Sequence, residues 1–433
     1  MREMKDSGVE WIGEIPKDWE VARIKQLFFE VNNRCENGQD YSLLSVSEYY
    51  GVGLRTTKMN NEDMLTHAET LDGYKICCIN DLVMNIMLAW KSALGISRYD
   101  GIVSPAYCVY RSKKKLDMRY YHYLFRTSLY AKVFKQYSTG IIDSRLRLYP
   151  DKFLALKCQV PPFEEQHLIA DYLDEKCSQV DAFIAKQQQI IEKLSAYKQS
   201  IITETVTKGL NPNVEFKDSG IEFIGKIPPT WKVCRLRNIG APQNGISKGG
   251  EFFGHGYPFV SYGDVYRNYV LPIQVDGLID TTSQERKYYS VEKGDIFFTR
   301  TSETIEEVGF SSVCEETIPN ATFAGFVIRV RPFDNTLYTG YSKYYFRSSH
   351  HRAFLVKEMN LVTRASLGQD LLKSMPVLVP PMEEQKEIAE FLDKRCKAID
   401  NAIETKLKII DKITAYKKSL IYEVVTGKKE VHL

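Results

Sequence analysis

Val160-Pro161-Pro162-Phe163-Glu164-Glu165-Gln166 opens a long helical pattern, and Val379-Pro380-Pro381-Met382-Glu383-Glu384-Gln385 opens it again. The second copy follows the first at a shift of 219 residues, which holds without a gap to Ser200-Ile201 against Ser419-Leu420. Ala170/Ala389, Leu173-Asp174/Leu392-Asp393, Cys177/Cys396, Asp181/Asp400 and Ala196-Tyr197-Lys198/Ala415-Tyr416-Lys417 all coincide. A match of this length at one offset marks a duplicated unit, and that repeat governs every other reading of the chain.

The Pro-Pro pair stops a preceding strand and presets a helix entry, and the two glutamates suit the positive end of the helix dipole. Leu173, Cys177, Val180 and Ile184 are spaced 4, 3, 4, and Ile191, Leu194 and Ile201 continue the stripe. Leu392, Cys396, Ile399, Ile403, Ile410, Ile413 and Leu420 repeat it. This is the pattern of helices packed along a seam. Gln187 and Lys198 break it, as do Lys406 and Lys417; polar residues at such slots specify register at some cost in stability. Helix from Glu164 to Val206 spans roughly 60 Å at about 1.5 Å per residue. Thr207-Lys208-Gly209-Leu210-Asn211-Pro212-Asn213 then reads as a linker.

Lys5 to Arg23 form a second repeated block, which recurs from Lys217 to Arg235 with Gly13/Gly225, Pro16/Pro228 and Trp19/Trp231 kept. Its Gly, Pro and aromatic content suits a strap that docks each domain on its helix. Between strap and Pro-Pro opening lies a region that varies between copies. Leu43–Ser47, Asp81–Asn85 and Ala106–Tyr110 read as strands, matched by Pro258–Ser261, Gly294–Thr299 and Phe326–Val330. A short helix from about Met118 to Tyr137 pairs with one from about Tyr338 to Met359. The scaffold repeats while most side chains differ. Each region closes in a polar loop, Asp143-Ser144-Arg145-Leu146-Arg147-Leu148 and Val362-Thr363-Arg364-Ala365-Ser366-Leu367. An arginine there suits a phosphate or a base edge, with a structural ion pair as the competing account.

Hydrophobic content of 44% and charged content of 26% describe an ordinary globular protein, and 433 residues favour two or more domains. The sequence has no membrane span and no signal peptide, so cytoplasmic residence is expected. Nine scattered cysteines without a C-x-x-C pair, and seven dispersed histidines, argue against a disulfide framework and against a metal site. Net charge is only +3, but Arg111 to Lys157 holds twelve Lys/Arg against three acids, and Arg329 to Lys373 eight against three. Basic charge recurring in both halves points to nucleic acid; the alternative is a pair of solvated surfaces.

With Gly-x-Ile-Pro-x-x-Trp at Gly13–Trp19 and Gly225–Trp231, and Pro-Pro-x-Glu-Glu-Gln after each variable region, nearly the whole chain resembles the specificity subunits of type I restriction–modification systems. The resemblance implies an α+β chain with two globular α/β target-recognition domains. Two long conserved helices, packed as an antiparallel coiled coil, would join them in a pseudo-twofold internal repeat. Its parts are residues 1–159 (first recognition domain), 160–206 (first helix), 207–216 (linker), 217–378 (second recognition domain) and 379–433 (second helix and tail). Each domain would read one half of an asymmetric bipartite sequence in double-stranded DNA while the helices set the gap.

The implied partners are two modification (methyltransferase) subunits and, in the full complex, restriction–translocation subunits. S-adenosylmethionine, ATP and Mg belong to those partners; this chain binds no cofactor and is no enzyme. DNA contact is carried onto Arg145 and Arg364 with Ser144, Arg147, Thr363 and Ser366 beside them, and onto Lys91, Arg300, Thr301 and Ser302 in loops after strands. Trp90 either stacks or packs. Two rival readings are a coiled-coil scaffold without DNA readout and a stand-alone methyltransferase or nuclease. The last lacks a Gly-rich cofactor loop and a Gly-Lys-Ser/Thr phosphate loop, and its loose nuclease match, Pro150-Asp151 with Asp174-Glu175-Lys176, loses the pattern in the copy Asp393-Lys394-Arg395.

Overall fold

The computed structural model describes residues 2–55, 71–302, 308–358 and 365–432. Two compact units emerge: Met1–Gln187 with Lys408–Leu433, and Gln188–Leu407. Each therefore takes one variable region and parts of both long helices, Phe163–Lys208 and Met382–Val425. Among the described residues no helix is long and apolar enough to cross a membrane.

In the first unit, strands β1 (Phe28–Val31), β2 (Leu82–Asn85), β3 (Leu94–Ile96) and β4 (Tyr107–Ser112) form an antiparallel sheet in the order β1-β4-β2-β3. Leu82-Val83-Met84 is a continuous apolar run because both faces of the sheet are covered. Phe28, Leu82, Met84, Cys108 and Tyr110 join the core that also holds the two helices Met118–Phe125 and Ser128–Tyr137. Val31, Val83 and Val109, pointing the other way, join a smaller core with Val46, Val52 and Val103.

The second unit repeats this plan. Strands β5 (Gly240–Asn244), β6 (Ile296–Thr299), β7 (Ser311–Val313) and β8 (Val327–Pro332) are ordered β5-β8-β6-β7. Ile296, Phe298, Ile328 and Val330 face one core, Phe297 and Val327 the other. All six strands expected from the sequence are present, with ends moved by a few residues. The single helix expected over residues 118–137 is two. Thr127 ends one and caps the next, its hydroxyl accepting from Tyr130 N. Its counterpart is likewise divided, into Thr339–Tyr345 and Ser349–Glu358.

The repeated motifs meet where each variable region joins its long helix. Trp19 is fully buried and its indole N–H donates to Glu165 Oε2 at 2.8 Å; Trp231 donates to Glu384 Oε2 at 2.9 Å. Gln166 donates to Pro161 O and accepts from Asp117 N, at the cap of the Met118 helix. Gln385 likewise donates to Pro380 O and accepts from Tyr338 N. Strap, Pro-Pro turn and domain helix are thus tied at one point.

The end of the other long helix closes each unit. Tyr120 OH donates to Val425 O at 2.9 Å in the first, and Tyr341 OH to Val206 O at 3.2 Å in the second. Past those ends, Gly427 (φ +72°) lies against Pro16 and Trp19, and Gly209 (φ +75°) against Trp231 and Glu384. Both are left-handed helix ends that leave no room for a side chain. The helix segments within each unit run antiparallel. In the first, Lys417 reaches Asp181 while Leu420 and Val424 pack with Ile169 and Leu173. In the second, Lys198 reaches Asp400 at 2.7 Å while Ile202 and Val206 pack with Ile388 and Leu392. Gln187 and Lys198 do not leave the seam: Gln187 is buried, and Lys198 is half-buried on its ion pair.

Replacing Glu384 by alanine strands the buried Trp231 N–H. It should cost about 1–3 kcal/mol in the unfolding transition followed by denaturant titration, whereas Glu383→Ala, at an exposed position, should leave that transition near its wild-type midpoint.

Candidate nucleic-acid interface

The loop after each central strand is fastened to the loop before each Pro-Pro opening. In the first unit Leu148 N donates to Ile86 O at 2.9 Å; in the second Leu367 N donates to Arg300 O at 2.7 Å. Leu148 and Leu367 are repeat equivalents, so the same backbone bond is made twice. The candidate residues therefore fall into one surface per unit.

In the first unit, Lys91 ends the short helix Ala89–Lys91 and is exposed, its Nζ 5.3 Å from the Trp90 ring centroid. Trp90 packs: it is half-buried against the main core, and its N–H donates to Met87 O. Lys135, which the charge count left unassigned, lies over the same ring at 4.9 Å and pairs with Asp143 at 2.8 Å. Asp143 begins the short helical turn carrying Ser144 and Arg145, both exposed. Arg145 has no ion pair among the described residues. Arg147 is half-buried, and its backbone pairs with Thr139. Lys91, Lys135, Ser144 and Arg145 are thereby gathered around Trp90 and Asp143.

In the second unit, Thr301–Ser302 pairs antiparallel with Ala365–Ser366, Thr301 opposite Ser366. Arg300 is half-buried and reaches Gly325 O at 3.4 Å. Arg364 and Thr363 lie outside the described residues. The exposed Phe326, whose carbonyl accepts from Arg300 N, adjoins this loop and was not foreseen; a lone aromatic before a strand carries no sequence signal.

Much of the counted basic charge is internal. Arg126 is half-buried and donates to the carbonyls of Ser47, Glu48, Ser92 and Leu94, and desolvation pushes its pKa down to about 10. Arg347, its repeat equivalent, serves Val265, Tyr266, Asn268 and Ser311 in the same way. Arg111 and Arg331 hold the buried Asp81 and Asp295 through both carboxylate oxygens. In the second basic segment Lys343, Lys357 and Lys373 pair with Asp393, Glu222 and Asp370. The four arginines hold the fold, while Lys357 and Lys373 form solvated surface pairs.

The residues of the loose nuclease match are also engaged structurally. Asp174 accepts from Tyr123 OH at 2.6 Å and from Arg119 at 3.0 Å. Among the described residues no group of three or more His, Cys, Asp or Glu is placed to hold a metal. Two copies of one α+β frame, each presenting differently decorated loops beside a long helix, define a duplicated recognition module.

The family described as type I restriction modification DNA specificity domain matches residues 16–196 and again 228–415, and the chain belongs to that family. A putative type I restriction enzyme MjaX specificity subunit of Methanocaldococcus jannaschii is 26% identical, over 97% of this chain and 96% of its own length. The EcoKI specificity subunit of Escherichia coli K12 is 25% identical over 72% of this chain and 67% of that protein. Among solved structures, one described as the basis of complex assembly and conformational transition of the type I R-M system shares the fold with TM-score 0.71. It is 13% identical and covers 96% of this chain and 99% of its own. The HsdS subunit of Thermoanaerobacter tengcongensis gives 0.51 at 15% identity, over 96% and 98%.

Thermal or denaturant unfolding separates the two kinds of arginine. Arg145→Ala should shift stability by no more than about 0.5 kcal/mol, while Arg126→Ala, which orphans several carbonyls, should cost at least about 3 kcal/mol.

Proposed function

We propose that this chain is the DNA-reading component of a type I restriction–modification complex, each unit meeting one half of an asymmetric bipartite site. The observation that carries this reading is one four-stranded sheet, repeated in the same strand order, under loops that differ. Lys91 and Ser144 stand in one copy; Arg300, Thr301, Ser302 and Ser366 stand in the other. Different donors on one scaffold suit two different half-sites.

The repeat also divides labour among these residues. Arg145 recurs as Arg364, and a side chain kept in both copies cannot tell one half-site from another. Exposed and without an ion pair, Arg145 suits a phosphate contact that fixes register on the duplex. Discrimination then falls to the side chains that differ.

The two long helices pack as one antiparallel coiled coil related by a pseudo-twofold axis, set the unread gap, and dock two modification subunits. In support, Asp181–Lys417 and Lys198–Asp400 are repeat-related pairs made in separate units. S-adenosylmethionine, ATP and Mg act in the modification and restriction–translocation subunits, in the cytoplasm, and this chain contributes recognition without chemistry.

Methylome sequencing of the source cell should show a bipartite methylated motif that vanishes when this gene is deleted. In the purified complex, Arg145→Ala should weaken specific and unrelated duplexes alike and lower the salt slope of log K by about 1. A loss of about 1–3 kcal/mol confined to one half-site would make it a base contact instead. Absence of any salt-dependent DNA binding would favour the scaffold.

A further inference from the structure

The loop that carries Arg145 has an apolar tip. Ile141 is 100% exposed and Ile142 53%, although they sit among Lys91, Lys135 and Arg145. Single exposed aliphatic residues are common and need no explanation. This one differs because the backbone holds it out. Thr139 and Arg147 exchange both backbone hydrogen bonds, at 2.9 and 3.0 Å, and close the loop at its base. Arg145 N donates to Ile142 O at 2.8 Å, and the Lys135–Asp143 ion pair ties the tip to the helix Ser128–Tyr137. Gly140, at φ +152°, brings the chain so close to Arg145 that a Cβ would lie 2.6 Å from its carbonyl oxygen. The turn is therefore compact, and Ile141 has no neighbouring core to fold into.

We propose that Ile141, with Ile142 beside it, is a wedge that enters the base stack of the half-site met by the first unit. The inference rests on the DNA reading above and deepens it. A branched aliphatic side chain makes no hydrogen bond to a base edge, but its apolar bulk can enter between two bases, partly unstacking the step and kinking the duplex. The surrounding cations favour DNA over a protein partner, because the centres of protein–protein interfaces are depleted of charge. Lys91, Lys135 and Arg145 are placed to take the phosphates that flank such a step. Steps that unstack easily then become preferred, so the wedge adds selectivity at a position without a polar base contact.

The test uses the full chain assembled with its modification subunits and duplexes bearing the methylome-derived target, each with one 2-aminopurine at a successive position. Fluorescence should rise several-fold at one step in one half-site, fall to the unbound level with Ile141→Ser, and fall partway with Ile142→Ser. The substitution should leave unfolding unchanged, since the Ile141 side chain is wholly in solvent. Specific binding without a rise at any step, or a rise that survives Ile141→Ser, overturns the wedge and leaves the recognition reading standing. Failure of Ile141→Ser to assemble with the modification subunits would make the tip a protein contact and also overturns it. Lack of sequence-specific binding by the unaltered complex overturns the DNA reading and the wedge together.

Discussion

The structure depends most on a half-buried carboxylate held against a buried tryptophan at the start of each long helix. Glu165 and Glu384 sit where the helix dipole already favours negative charge, and the indole N–H of Trp19 or Trp231 completes the site. Arg2 adds a bidentate pair to Glu165 in the first copy. Because the tryptophan belongs to the strap, the glutamate to the helix, and the adjoining glutamine to the Pro-Pro turn and the domain helix, three segments distant in sequence are fixed at one corner. Losing the carboxylate leaves a buried donor unpaired, which costs more than losing an apolar contact of the same size.

From that corner the geometry of each unit follows. The strap is also touched by the glycine that ends the opposite long helix, Gly427 on Trp19 and Gly209 on Trp231. A domain is therefore closed by the end of a helix that began after the other domain. Within each unit the antiparallel segments are registered by a lysine–aspartate pair at the edge of an apolar seam. Such exposed pairs contribute little energy; their value lies in register. Gln187 is buried in the seam, and its Oε1 has no hydrogen-bond partner among the described residues, a polar slot that costs stability.

The frame was readable in the sequence because duplication exposes it. Leu82-Val83-Met84 and Ile296-Phe297-Phe298 read as strands, and the 4-3 stripe after Pro161 reads as a seam. The break at Thr127 was not read, since hydrophobic periodicity runs through it and only a capping threonine marks it. Charge was the poorer guide. Arg126 and Arg347 look like free surface cations in a composition count, yet each is half-buried and spent on carbonyls. Their coincidence in both copies was the available sign, because a polar residue that repeats with the frame serves something both copies share. Side chains that differ between the copies leave no internal pattern to follow; Lys135 and Ile141 stand out only in the folded chain, on the loop and helix joined by the Lys135–Asp143 pair.

If the helices measure while the domains discriminate, a change in helix length alters the gap and leaves both half-sites unchanged. Seven residues keeping the 4-3 stripe, inserted midway in both long helices, lengthen each by about 10.5 Å, or roughly three base pairs at about 3.4 Å each. Methylome sequencing of cells carrying this variant should return the same two half-sites separated by a gap roughly three base pairs longer. An unchanged gap, or an altered half-site at the original spacing, would contradict the account.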